Sequence, residues 1–172
     1  VAQAIDSIFV LASLAAAWSD ARTRRIPNGL TFGLIAFGVG AHGITGGWLA
    51  GLESLGLATI VIVVGSFVHS RHWLSGGDIK LIAAGGAVFG YPSVVLFLLL
   101  TGLAGGVLSA VVATRQRRLV GTLNQIVHFV LVPGMPLEAS TEHGTLPYGL
   151  AIAAGASLTT LSLCFRGLRL PL

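Results

Sequence analysis

The chain predicts an all-α integral membrane protein with about six transmembrane helices. Of its 172 residues 54% are hydrophobic and only 9% are charged, against about 25% charged in soluble domains. Mean hydropathy is +0.89, and the apolar residues gather into six stretches separated by short polar or Gly/Pro breaks. Glycine occurs 24 times, about twice its usual share of roughly 7%, which suits helices whose backbones approach closely in lipid. Gly102-x-x-x-Gly106 and Gly86-x-x-x-Gly90 are the expected helix contacts. No composition break divides the chain, so residues 1–172 read as a single domain.

The first span runs over residues 4–18 and the second over 30–44. Between them stands Ile26-Pro27-Asn28, because the residue before proline avoids the helical region and Asn28 is a good cap for the helix that follows. No basic stretch precedes the first span, and arginines follow it, so a cleavable signal peptide is not expected. Gly46-Gly47 turns the chain into a third span, residues 48–68. A short fourth span, 79–90, is stopped by Tyr91-Pro92; the fifth covers 93–114 and the sixth 146–165. Between the last two, Leu119, Leu123, Ile126, Val127 and Val130 recur at helical spacing beside a basic cluster, as in a helix lying on the membrane surface. Pro133-Gly134 ends it, and Glu138 and Glu142 belong to a loop.

The formal net charge of +4 does not point to nucleic acid, because Arg22/Arg24/Arg25 and Arg115/Arg117/Arg118 each flank an apolar span and mark topology. Positive residues stay cytoplasmic. With the N-terminus outside, these arginines and Arg71 all face the cytoplasm, and only Arg166 and Arg169 fall on the other side. Cys164 is the only cysteine, so neither an internal disulfide nor a cysteine zinc cage can form. His42, His69, His72, His128 and His143 do not converge at ligand spacing. No metal site and no cofactor is expected.

Ionisable groups at membrane level are functional candidates by default. Asp20, at the end of span one, and Asp78, at the start of span four, stand on the same, cytoplasmic side. Two carboxyl groups brought together cannot both ionise cheaply, so the pair holds a shared proton and offers an acid and a base at once. One member takes a proton from water while the other polarises a peptide carbonyl. Helix dipoles favour charge on Asp78 and disfavour it on Asp20, which makes Asp78 the expected base and Asp20 the acid, while Arg22 and Arg24 argue for the reverse. Gly76-Gly77 lets the backbone come close to a substrate or a neighbouring helix. Lys80 is placed to hold the loop through a carboxylate or a lipid headgroup, or to snorkel to the interface.

At these residues the chain resembles the type IV prepilin peptidases, the membrane aspartic proteases that remove leader peptides from pilin-like precursors. Asp20-x-Arg-x-Arg-Arg-Ile-Pro-Asn28 resembles the family's first aspartate motif, and Gly77-Asp78-Ile79-Lys80-Leu81 its Gly-x-Gly-Asp motif. Pro147-Tyr148-Gly149 resembles a third, weaker element. Ser75 replaces the first glycine of Gly-x-Gly-Asp, and Leu150 stands where a proline often follows. The resemblance implies catalysis by Asp20 and Asp78, with Gly76, Gly77, Lys80, Pro27 and Asn28 shaping the site. It also implies a bacterial inner-membrane location and a prepilin substrate whose leader ends in glycine before a hydrophobic helix. No paired Cys-x-x-Cys segment is present, so the chain resembles the short form found with tight-adherence (Flp) pili, without methyl transfer. Membrane lipid is the other expected partner. Two other readings remain open at this level: a small proton-coupled carrier using the same aspartates, and an inactive scaffold, with Ser75 as its support.

Overall fold

The computed structural model describes residues 2–23, 26–70, 74–115 and 148–168, all of whose regular structure is helical. Six helices follow in order: α1 (Ala2–Thr23), α2 (Asn28–Gly46), α3 (Trp48–Ser70), α4 (Gly76–Phe89), α5 (Ser93–Arg115) and α6 (Tyr148–Leu168). The expected interfacial segment lies outside the described residues. Among the described residues five helices are long and apolar enough to cross a membrane, and α4 is not one of them. Its 14 residues extend about 21 Å at 1.5 Å per residue, short of a hydrocarbon core of about 30 Å.

The short helix is the centre of the bundle, in contact with all five others. On one side α2 and α3 pack on it and on each other; on the other, α6 joins α1 to α5. Apart from Lys80, every residue of α4 from Asp78 to Phe89 is buried. Its sequence explains this. Ala83-Ala84-Gly85-Gly86-Ala87 is small all round, so no face of the helix holds neighbours away, and a helix apolar all round belongs inside.

Close approach is visible atom by atom. A Cβ on Gly38 of α2 would stand 2.8 Å from the Ala87 carbonyl carbon and oxygen, and one on Gly86 would be 3.7 Å from the Leu57 carbonyl oxygen on α3. Gly85 lies under Phe97, and Phe9, Phe89 and Phe97 form an aromatic cluster that joins α1, α4 and α5, with Phe9 edge-on to Phe89 at 5.4 Å between ring centres. Gly102 and Gly106, by contrast, have nothing within 4 Å of a Cβ. That glycine pair is not a helix contact; Gly105, facing Tyr148, and Gly155, facing Thr101, make the α5–α6 seam instead. The outward faces of α3 and α5, with Ile60, Val63, Phe67, Leu99, Leu103 and Val107, remain exposed, as lipid-facing surfaces should.

Two turns need glycine. Gly47 joins α2 to α3 at φ 84°, and Gly90 ends α4 at φ 60°, a region that costs any residue with a side chain. Because α4 ends inside the bundle, its last carbonyls need partners. The Gly90 N–H donates to Gly86 O, Ser54 Oγ of α3 donates to Ala87 O at 2.7 Å, and His42 Nε2 of α2 donates to Val88 O at 2.9 Å.

Candidate active site

The other end of α4 carries the polar residues singled out from the sequence. Ser75 is its N-cap, in ordinary extended backbone (φ −74°, ψ 152°), and its hydroxyl accepts from the Asp78 N–H at 3.3 Å. The Ser75 hydroxyl and backbone also favour the charged form of the Asp78 carboxyl. The serine that departs from the glycine motif thus needs no glycine backbone. It starts the helix that presents Asp78.

Asp20 lies on α1, which continues past it to Thr23, so this aspartate is in the last turns of a helix and not beyond it. Phe9 and Asp20 are eleven residues apart, as are Phe89 and Asp78. With the two helices running in opposite directions from the Phe9–Phe89 contact, both aspartates come to one level, about 16 Å along the bundle. The charge of Asp20 acts on Asp78, and that of Asp78 on Tyr148. Gly149 closes this corner: a Cβ there would lie 3.1 Å from the Ala17 Cα and 3.4 Å from the Asp20 Cβ and Oδ2. Tyr148 and Gly149 therefore join the two aspartates, a grouping foreshadowed by the Pro147-Tyr148-Gly149 element.

The two carboxyl groups differ in setting. Asp20 is half-buried, whereas Asp78 is 5% exposed and its Oδ1 has no hydrogen-bond partner among the described residues. Asp78 lies ahead of the apolar run of α4. Burial pushes its carboxyl up from the ordinary value; the Ser75 hydroxyl opposes this, Asp20 reinforces it, and the Ser75 backbone opposes it. Desolvation, the largest cause, disfavours the charged form. At Asp78 desolvation thus opposes the charge that the helix dipole favours.

The shaping residues divide. Gly77 packs on Ile26, where a Cβ would be 3.2 Å from the Ile26 Cβ, while Gly76 has nothing within 4 Å. Pro27, not Asn28, occupies the N-cap of α2, and its carbonyl accepts from Leu30 and Thr31 N–H groups at 3.1 and 3.4 Å. Asn28 is the first residue of the helix, and its Oδ1 accepts from Lys80 Nζ at 2.9 Å. Lys80 also sits 5.4 Å from the centre of the Phe32 ring. It holds α2 to α4 through an amide rather than through a carboxylate. Polar pairing of this kind is invisible in single spans, since the partners are 52 positions apart in the chain.

Two apolar grooves flank the site. One of about 250 Å³ runs between α3, α4 and α5 and is bordered by Leu74 and Ile79, next to the Asp78 turn. The other, about 470 Å³, lies between α5 and α6 and begins at Leu150 and Ala151, beside Gly149.

No curated protein and no solved structure was found to match the chain. A family model does match, over residues 7–110, a stretch that holds both Asp20 and Asp78 and ends within α5. Among the described residues five helices long and apolar enough to span a bilayer surround the short central one, and the chain belongs to the type IV leader peptidase family.

Proposed function

We propose that this multi-pass protein is an aspartic endopeptidase that removes the leader from pilin-like precursors at the cytoplasmic face of the bacterial inner membrane. One observation supports this above the rest: a buried Asp78 carboxyl with a free acceptor oxygen, held by its own helix cap within the field of Asp20. Asp20 takes a proton from a water molecule as that water attacks the scissile carbonyl carbon. Protonated Asp78 hydrogen-bonds the carbonyl oxygen and stabilises the developing oxyanion. The tetrahedral intermediate then collapses, the C–N bond breaks, and the proton gathered by Asp20 passes to the leaving amine.

The precursor presents one apolar helix, which the grooves beside Leu74/Ile79 and Leu150 suit in shape and polarity. Within the family, the reading adopted is the short form associated with tight-adherence pili, on the resemblance given above. The support that Ser75 lent to an inactive scaffold is removed by its role as a helix cap. Co-expression with a precursor tests the reading. Asp20→Asn and Asp78→Asn are each expected to slow maturation by about 10³-fold, within the usual range for loss of a general acid or base. Undiminished maturation in either variant overturns it, and proton flux into liposomes without cleavage establishes the carrier instead.

A further inference from the structure

The start of α4 is held from outside by a side chain that the proposed chemistry does not use. Ser75 caps the helix, and its carbonyl accepts from the Ile79 N–H at 3.3 Å as the first bond of the helical ladder. Leu74 stands one residue ahead, so the ladder offers its carbonyl no donor. His69, in the last turn of α3, supplies one: its Nδ1–H donates to Leu74 O at 2.8 Å. A carbonyl can only accept, so Nδ1 carries a proton whether the ring is neutral or charged. Four residues earlier on the same helix, Gly65 leaves room for the Ile79 side chain, which a Cβ there would strike. Leu74 and Ile79 both border the apolar groove beside the Asp78 turn. They occupy the two positions, just before the cap and fourth in the helix, where apolar side chains fix the angle at which a chain enters.

We propose that His69 is a positioning residue: by holding the Leu74 carbonyl it fixes the entry of α4, and with it the place of Asp78 relative to Asp20. The inference rests on the peptidase reading for its consequence, not for the contact itself. Between Leu74 and Asp78 stand Ser75 and two glycines, the residues that restrain a backbone least. Asp78 is the third residue of the helix and gives its N–H to Ser75 Oγ at 3.3 Å, so a shift at the cap reaches it within one turn. Ile26, between α1 and α2, packs on Gly77, and His69 ties the preceding turn to α3. Without the imidazole, water can satisfy the Leu74 carbonyl but sets no direction for it.

The full chain in lipid nanodiscs, labelled with 15N-histidine, tests the contact directly. At about pH 9, above the ordinary histidine range, the His69 ring is expected to keep its proton on Nδ1; a proton on Nε2 overturns the proposal. Asparagine and glutamine then separate the bond from mere bulk. The asparagine amide nitrogen is bonded to Cγ, as Nδ1 is, whereas that of glutamine lies one atom further out. Placement is read without catalysis by cross-linking the two thiols of a chain carrying Asp20→Cys, Asp78→Cys and Cys164→Ser with a short bifunctional reagent. Adding His69→Ala or His69→Gln is expected to slow cross-linking about tenfold, less than the order of 10²-fold that a misplacement of about 1 Å can cost a reaction. His69→Asn is expected to restore the rate. With a pilin-like precursor the same ranking is expected in kcat, with KM unmoved. An unchanged cross-linking rate in His69→Ala, no recovery in His69→Asn, or an effect on KM alone overturns the proposal. If the tautomer and the cross-linking ranking hold but the wild-type chain cleaves no precursor, the peptidase reading fails and the positioning of Asp78 stands.

Discussion

Asp78 is held where its charge is least welcome, and this has a measurable cost. Its carboxyl is pushed up from the ordinary value by burial first of all. The folded chain thus holds the neutral acid more readily than the unfolded chain does. That contribution to stability is complete below the ordinary carboxylate range and is lost as pH rises through the raised folded value. Asparagine cannot ionise and avoids the loss. Asp78→Asn is therefore expected to unfold at a higher temperature than the wild type near about pH 8, with the gap closing towards about pH 4, the ordinary aspartate range. Thermal unfolding across that pH series checks it, and a gap independent of pH would contradict an ionisable Asp78. Asp20 and Asp78 were legible in the sequence because charge is scarce there and each stands at the edge of an apolar run. Ser75 was legible too, as Ser-x-x-Asp, but comparison with a glycine motif hid its capping role. The burial of Asp78 was not legible, because helix position is local whereas desolvation depends on the neighbouring helices.

At the scale of elements, α4 explains the glycine content better than repeated Gly-x-x-x-Gly spacing does. Gly38→Ala sets a methyl group against the Ala87 peptide, which is backbone and cannot turn aside. It is expected to destabilise the chain by about 1–3 kcal/mol, the usual cost of overpacking. Gly102→Ala and Gly106→Ala meet open space and are expected to be neutral or to gain up to about 1 kcal/mol from helix propensity. Thermal inactivation in one detergent ranks the three; equal effects would mean that α2 does not seat against α4 as described. Spacing alone could not separate these glycines, since Gly102 and Gly105 both lie on α5 and differ only in which neighbour the face meets. Span boundaries were legible to within a few residues, and the short fourth segment was recognised as short. Its central position was not. A helix of small residues reads as weakly apolar in sequence, and only packing shows that it is wrapped on every side.

For the whole molecule, alternate ends of the bundle carry different residues. Asp20, Asp78 and Tyr148 share one end, while Gly47, Gly90 and the exposed Trp48 mark the other. The proposed orientation, drawn from arginine placement, puts the aspartate end on the cytoplasmic side. In a Cys164→Ser background, Thr23→Cys is expected to react with an impermeant maleimide only when the inner face is opened, and Tyr91→Cys in intact spheroplasts. The opposite pattern would put the carboxyl pair outside and remove access to precursors made in the cytoplasm.

The matched intervals from Phe9 to Asp20 and from Phe89 to Asp78 bear on how this architecture can vary. One residue inserted into either interval swings everything beyond it by about 100° and shifts it about 1.5 Å, turning one carboxyl group away from the other. Length changes can accumulate in the connections between helices, but inside these two stretches they are tolerable only if both stretches alter together. The aromatic contact acts as the zero mark of a pair of equal measuring rods.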